Sequence, residues 1–472
     1  MSSRLKKMFF SGSELRQLFA LGVPVLIAQT SQQGMAFVDT VMTGQASAAD
    51  LAAVGVATSV WAPFCMLGVG VLMPLTPLVA QSVGARQPQQ AAHCVRQGLW
   101  LAALLSLLFM LFFYMVSWRL GLFGLEPELA ALAGGYLRAI MWGFPGLLLF
   151  CCIRSLAEGH SCVRPSMVIG IVALALNIPC NYVLIYGKLG FPALGAVGCG
   201  VASAFCYWVM AVAMLCYVRR EPLFSALRPL FLPMLRPLEG QKRVDGAMIK
   251  RVLRLGIPSA FAVFFEVSLF TLTALLLAPL GTVVVAGHQV ALNFSSMIFM
   301  LPLALSMTIA IRTGYCLGAG KVQQAHLAAR TALVAALCCA VCMALLSYTF
   351  RYQFVALYGD TPAVVELAVG LFAYMATYQL VDAVQAVSLG ILRGYNDTRI
   401  ISYVCFVTYW LIGLPLGYTL TYTTWLTAQP MGAQGFWTAY IVALSVGMCC
   451  YLWRVRWLHK LGKDAVQVRL AR

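Results

Sequence analysis

LGIPSAFAVFFEVSLFTLTALLLAPL, residues 255–280, is 26 residues long and holds one ionisable side chain, Glu266, near its centre. At about 1.5 Å per residue, a helix of this length crosses the ~30 Å hydrocarbon layer of a bilayer with some tilt. A carboxylate at that depth costs about 2.5–3.5 kcal/mol even on a lenient insertion scale, so it persists where it faces a protein interior or a wet cavity. The stretch predicts a membrane span that carries an ion or substrate site. The plainer alternative is a protonated Glu bonded to a neighbouring helix.

The whole chain agrees with a membrane setting. Of 472 residues, 61% are hydrophobic and 10% charged, against about 25% charged in soluble domains. The apolar runs exceed 20 residues and do not alternate with period two. Helices rather than a barrel therefore satisfy the backbone in lipid. The basic start, Met1–Phe10, leads into an apolar run long enough to stay as a span, so no cleaved leader is expected. Twelve spans are expected, at 16–42, 51–81, 92–117, 127–153, 163–187, 194–218, 249–279, 286–317, 326–350, 361–391, 399–424 and 433–456. Many hold a proline, including Pro24, Pro74, Pro77, Pro145, Pro179, Pro258, Pro302 and Pro415. Proline removes a backbone donor and bends a helix.

An even number of spans places both termini on one side. Sorted by loop, 28 of the 32 Lys and Arg fall on that side and 4 on the other (Arg119, Arg138, Lys188, Arg351). By the positive-inside rule both termini are cytoplasmic. The net charge of +17 is thus a matter of topology, and nucleic acid is not expected as a partner. The 16 Cys sit almost entirely in apolar runs, where Cys behaves as a small hydrophobe. The Cys339–Cys342 pair lies inside a span without a second pair, which argues against a metal or redox role. The five His (93, 160, 288, 326, 459) are expected at span ends or loops, forming no cluster.

The chain repeats itself. A shift of 234 positions lays Leu21-Gly22-Val23-Pro24 on Leu255-Gly256-Ile257-Pro258. It also lays Gly84-Ala85 on Gly318-Ala319 and Arg96 on Arg330. A shift of 237 lays Gly195 and Gly198 on Gly432 and Gly435. Repeats of six spans share one orientation, which implies a pseudo-twofold axis along the membrane normal and a site between two lobes. The expected organisation is an N-lobe at 1–218, a cytoplasmic linker at 219–248, a C-lobe at 249–456 and a basic cytoplasmic tail at 457–472.

Of 15 acids, twelve are in loops or at span ends and three lie well inside spans: Asp39, Glu266 and Asp382. None is repeat-related, since Asp39 falls on Thr273 and Glu266 on Gln32. None has an intramembrane Lys or Arg as an evident partner in sequence. Three unpaired acids suit a cation: a proton by titration, Na⁺ by oxygen coordination, or an organic cation by charge. Helical spacing names their neighbours. Tyr378 precedes Asp382 by four residues, Phe270 follows Glu266 by four, and Ser259 and Thr273 flank Glu266 at seven. Gln289, Asn293 and Ser296 share a face, as do Asn177 and Asn181. Phe264 and Phe265 read as lipid or packing contacts rather than cation–π partners. No P-loop, no HExxH and no nucleophile with a base is present, so neither an enzyme nor an ATP-driven pump is expected and no cofactor is implied.

These stretches resemble the multidrug and toxic compound extrusion (MATE) family, NorM-like branch, over about residues 16–456. The resemblance rests on MAFVDTVMTG around Asp39, LNIPCNYVLIYGKLGFPALGAVGCGVASA from Leu176, FFEVSLF around Glu266, AGHQVALNFSSMIFMLPLALS from Ala286, YQLVDAVQAVSLGILRGYNDT from Tyr378 and PMGAQGFWTAY from Pro430. It implies an all-α polytopic fold of twelve helices in two pseudo-symmetric lobes. It also implies an antiporter in which inward Na⁺ or H⁺ drives export of cationic, amphipathic drugs and dyes, giving antibiotic resistance. By resemblance, Asp39 with Asn177 and Asn181 forms an N-lobe cation site, Glu266 with Asp382 forms a C-lobe cation and substrate site, and Pro24 is a bending proline. Either acid group is then a Na⁺ candidate. Some branches carry a second acid where this chain has Asn181, which weakens transfer of their proton mechanism. The implied setting is a bacterial inner membrane, with a monomer sufficient. The competing expectation is a flippase for a lipid-linked oligosaccharide or cell-wall precursor. A pyrophosphate lipid calls for cavity Arg or Lys, and the spans are nearly free of them apart from Arg138.

Overall fold

A computed structural model describes residues 12–123, 125–227, 243–358, 361–461 and 465. Among these residues the chain is helical throughout and forms no strand. The long helices are α1 (Gly12–Ala46), α2 (Ala48–Gly84), α3 (Pro88–Ser117), α4 (Pro127–Gly159), α5 (Arg164–Tyr186) and α6 (Gly195–Arg220). The second set is α7 (Gly246–Leu280), α8 (Thr282–Gly318), α9 (Val322–Thr349), α10 (Pro362–Gly394), α11 (Thr398–Tyr422) and α12 (Ala433–Lys460). Eleven of these are long and apolar enough to cross a membrane. The other, α1, is 35 residues long and more polar. Each agrees with an expected span to within a few residues.

Proline acts as its chemistry predicts in several of them. α2 is interrupted at Met73 and Pro74. In α4 a tight turn at Met141–Gly143 precedes Pro145. α11 widens into a π-helical stretch at Phe406–Gly413 just before Pro415. The repeat is visible in backbone geometry. Gly195 and Gly432, paired by the shift of 237, both take positive φ, +52° and +58°, at the start of α6 and α12. At Gly195 a side chain would also meet the Asp50 carboxylate, which accepts the Ala196 N–H at 2.7 Å. Glycine is needed there on both counts.

The chain packs as two compact units. One is Val23–Ala260; the other is the chain from Phe261 onward together with the segment up to Gly22. We call them the N-unit and the C-unit. The division runs through α1 beside Pro24 and through α7 beside Pro258. The expected linker at 219–248 is described only at its two ends, because 228–242 lie outside the described residues. So does most of the expected tail, at 462–464 and 466–472.

Each crossing is anchored by core burial and by charge. In the C-unit, Leu18 of α1 joins the core around Leu269, Ile309 and Leu317. Glu14 accepts two hydrogen bonds from the Arg312 guanidinium, at 2.8 and 3.0 Å, in a fork–fork pair. In the N-unit, Val252 and Leu255 of α7 join the core around Leu72 and Val95. There Asp245 meets His93 Nε2 at 3.0 Å, and Gln97 Oε1 accepts the Asp245 N–H at 2.9 Å. The His93 contact holds the Asp245 carboxyl below the usual carboxylate range.

Removing one member of a buried ion pair leaves an uncompensated charge. We therefore expect Arg312→Ala to lower stability by roughly 3 kcal/mol. Exchange of the pair, Glu14→Arg with Arg312→Glu, is expected to recover most of that loss in thermal unfolding of detergent-purified protein.

Candidate functional site

In the N-unit three helices converge on one carboxylate. Asp39 sits on α1 and is buried. Asn177 and Asn181, one turn apart on α5, are fully buried and face it. Asp39 Oδ1 accepts from Asn177 Nδ2 at 3.0 Å and from Asn181 Nδ2 at 2.6 Å. Asp39 Oδ2 accepts from Ser203 Oγ of α6 at 2.5 Å. The two amides are joined in turn, Asn181 Nδ2 to Asn177 Oδ1 at 3.1 Å. An ionised carboxylate is an acceptor only, and here neutral donors, the Cys199 thiol among them, surround it without a Lys or Arg. Asn181 Oδ1 is buried with no partner among the described residues. A 180° turn of either amide exchanges donor for acceptor and would aim oxygen at a cation. The residues therefore fit a small dehydrated cation as well as a proton. Ser203 was not singled out by sequence. Its signal is the small-residue run Gly198, Cys199, Gly200, Ala202, Ser203, which lets α6 approach closely.

In the C-unit the two remaining acids lie on separate helices and act on one another electrostatically, Glu266 from α7 and Asp382 from α10. Asp382 is buried, and the Tyr378 hydroxyl faces its carboxyl from one turn earlier. Glu266 is half-buried. Arg393 of α10, taken from sequence as a loop-side cation, acts electrostatically on Glu266. Its Nε is buried and finds no hydrogen-bond partner among the described residues. Among the described residues no ion pair joins Glu266 to a Lys or Arg. Arg393 lies in the last turn of α10.

Aromatic rings wall this region. Phe270 lies 5.2 Å from Tyr440 and 6.5 Å from Tyr378, and Trp437 lies 5.8 Å from Tyr378. Phe265 packs against Phe406 at 5.2 Å and Trp410 at 6.1 Å, as a packing residue would. Ser259 and Thr273 give their hydroxyls to the Leu255 and Leu269 carbonyls, both at 2.9 Å, so neither is committed to Glu266. Gln289 is half-buried and Asn293 exposed on α8. No hydrogen bond ties either to an acid among the described residues.

The histidines lie near helix ends, as expected from sequence. His288 is fully buried inside α8. His326 and His459 stack with ring centroids 4.0 Å apart, because the start of α9 meets the end of α12.

With this geometry described, comparison places the chain. The family profile MatE matches residues 24–183 and 258–419. The protein is a polytopic membrane transporter, and the chain belongs to the MatE family. Its fold is similar to that of the eukaryotic MATE transporter AtDTX14, at TM-score 0.84 and 20% identity over 98% of this chain and 99% of that one. An outward-facing multidrug resistance MATE family transporter of the MOP superfamily is similar at TM-score 0.83 and 16% identity over 99% of each chain. The Vibrio cholerae MATE transporter VcmN is similar at TM-score 0.82 and 16% identity over 94% of this chain and 97% of that one. At such identities the structural likeness is one of fold.

The cage around Asp39 makes its own prediction. Asp39→Asn sets an amide NH₂ among three donors, leaving buried groups unsatisfied at a cost of about 1–3 kcal/mol. We expect a matching fall in thermal stability. The relocated pair Asp39→Asn with Asn181→Asp is expected to recover part of it, because a turn of the Asn177 amide then gives the moved carboxylate an N–H donor.

Proposed function

We propose that this transporter is a cation-coupled antiporter that exports cationic, amphipathic drugs and dyes in exchange for inward Na⁺ or H⁺. The observation that carries the reading is the Asp39 cage, a buried carboxylate held by Asn177, Asn181 and Ser203 with neutral groups alone. A carboxylate in hydrocarbon that has no fixed counter-charge is balanced by a mobile one. The C-unit supports the same reading with two mutually repelling acids and an aromatic wall, a combination suited to a flat organic cation.

In this mechanism the acids alternate between two partners. Two carboxylates in a low-dielectric site repel each other, so the substrate cation gains by neutralising them. When a proton or Na⁺ takes its place, that gain is lost and the substrate leaves. Arg393 supplies part of the neutralising charge at Glu266 while the exchange proceeds. An equilibrium between two accessible states, biased by which cation is bound, completes the cycle. The basic residues distributed 28 to 4 between the loops orient both termini to the cytoplasm of a bacterial inner membrane. Pro24 beside the unit boundary is proposed as the point where α1 bends. Gln289 and Asn293 are proposed to meet substrate rather than ion, as their exposure on α8 allows.

The test uses purified protein in liposomes loaded with ethidium. A Na⁺ gradient alone and a pH gradient alone are imposed on the wild type, Glu266→Gln and Asp382→Asn. We expect one gradient to drive dye movement in the wild type. In either variant that movement should fall at least about tenfold, the equivalent of losing about 1.4 kcal/mol of coupling. Folded wild type that moves no dye under both gradients would overturn the reading and bring a lipid-precursor flippase forward.

A further inference from the structure

His288 lies near the start of α8 and is 0% exposed. Neither of its ring nitrogens meets a hydrogen-bond partner among the described residues. Its ring lies 6.0 Å from that of Trp437, whose Nε1 is equally buried and unpartnered. Trp437 lies 5.7 Å from Tyr440, whose buried hydroxyl faces the Thr273 hydroxyl. Tyr378 lies 5.8 Å from Trp437 and 6.4 Å from Tyr440, and its hydroxyl faces Asp382. Three buried polar atoms without partners among the described residues, on His288 and Trp437, thus lie next to the ring of Tyr378, whose hydroxyl faces the Asp382 carboxyl. Each unsatisfied buried group costs about 1–3 kcal/mol, and folded proteins carry few of them. Buried groups of this kind are ordinarily met by internal water.

The internal repeat locates the cluster. A shift of 234 pairs Asp39 with Thr273 and Val54 with His288, and a shift of 237 pairs Ser203 with Tyr440. In the N-unit Ser203 donates to Asp39, and Val54 is a buried core residue. In the C-unit Tyr440 faces Thr273, and a histidine stands where the valine was. The acid position of the N-unit is a threonine in the C-unit, and a core valine position of the N-unit is a histidine there.

We propose that His288 is a proton-relay residue of the C-unit, passing protons between water held at Trp437 and Tyr440 and the Tyr378–Asp382 pair. The proposal rests on the antiport reading and deepens it by naming the proton as the ion of this unit. The groups around the relay are Tyr378 and Asp382 from α10, Trp437 and Tyr440 from α12, and Thr273 from α7. No charged side chain acts directly on His288 among the described residues, and Asp382 is reached through Tyr378. A neutral imidazole accepts a proton on one nitrogen and releases one from the other. It therefore relays without persisting as a buried cation. The proton ends on the Asp382 carboxylate, each relay group returns to its starting form, and the reverse sequence discharges the carboxyl.

The test separates rate from equilibrium. In ethidium-loaded liposomes under a pH gradient, His288→Gln is expected to export dye at least tenfold more slowly than wild type. Its dye Kd in detergent and its melting temperature should stay within twofold and a few degrees of wild type. His288→Ala, which leaves room for a small base, should regain export when imidazole is added. A purely structural histidine would shift Kd or melting without imidazole rescue. Export by His288→Gln at the wild-type rate overturns the relay and leaves the antiporter standing. Wild-type export driven by Na⁺ alone also overturns the relay alone. No wild-type export under either gradient overturns both.

Discussion

A carboxylate surrounded by hydrocarbon must be filled with hydrogen bonds, matched by a charge or neutralised by a mobile cation. Taking an ion from water into a low-dielectric interior otherwise costs several kcal/mol even after relaxation. This protein meets the demand differently at each of its membrane acids. Asp39 is filled by neutral donors from two other helices. Glu266 and Asp382 share a field with each other and with Arg393. The helices that supply these partners must pack at fixed positions, and the glycines of α6 and α12 allow them to. Gly198 and Gly435 sit where α6 and α12 press against the backbone near Leu184 and Leu420.

The two units share a backbone plan and differ in charge. Near the end of α4, Arg154 pairs with Glu158 at 3.6 Å across one helical turn. The end of α10 carries a similar spacing, Arg393 and Asp397, yet the acid takes a different partner. Asp397 binds Arg454 of α12 at 2.7 Å. On the shift of 237 that pairs α6 with α12, the corresponding residue is Tyr217. In the C-unit Arg454 of α12 thus takes the acid one turn from Arg393, and Arg393 acts electrostatically on Glu266 instead.

Much of this was legible in the sequence because the signals are local or periodic. Apolar runs set the spans, and the gap-free match around Pro24 and Pro258 exposed the repeat. The one-turn spacing of Asn177 and Asn181 placed both amides on one face. What escaped depends on contacts between distant helices. Ser203 is one of many small residues on α6, and only packing distinguishes the one that reaches Asp39. Arg393 lies at a span end, where sequence cannot say whether the side chain turns outward or inward. His288 stands near the start of α8, where sequence cannot say that packing against α12 buries it fully.

The difference between the units bears on what each can exchange. The Asp39 cage is rich in groups that become oxygen ligands by turning an amide, and its unfilled acceptor, Asn181 Oδ1, is an oxygen. Such a cage can follow the presence or absence of a hard cation with little backbone movement. The His288 cluster offers an imidazole, an indole N–H and a phenol, a set poor in oxygen ligands and rich in transferable or donated protons. On the antiport reading, the duplicated fold has specialised its two copies, one for holding a small cation and one for moving a proton toward a substrate-facing acid. Symmetry of the backbone then serves a division of chemistry, because the same packing can be kept while a few polar residues decide which cation each half accepts.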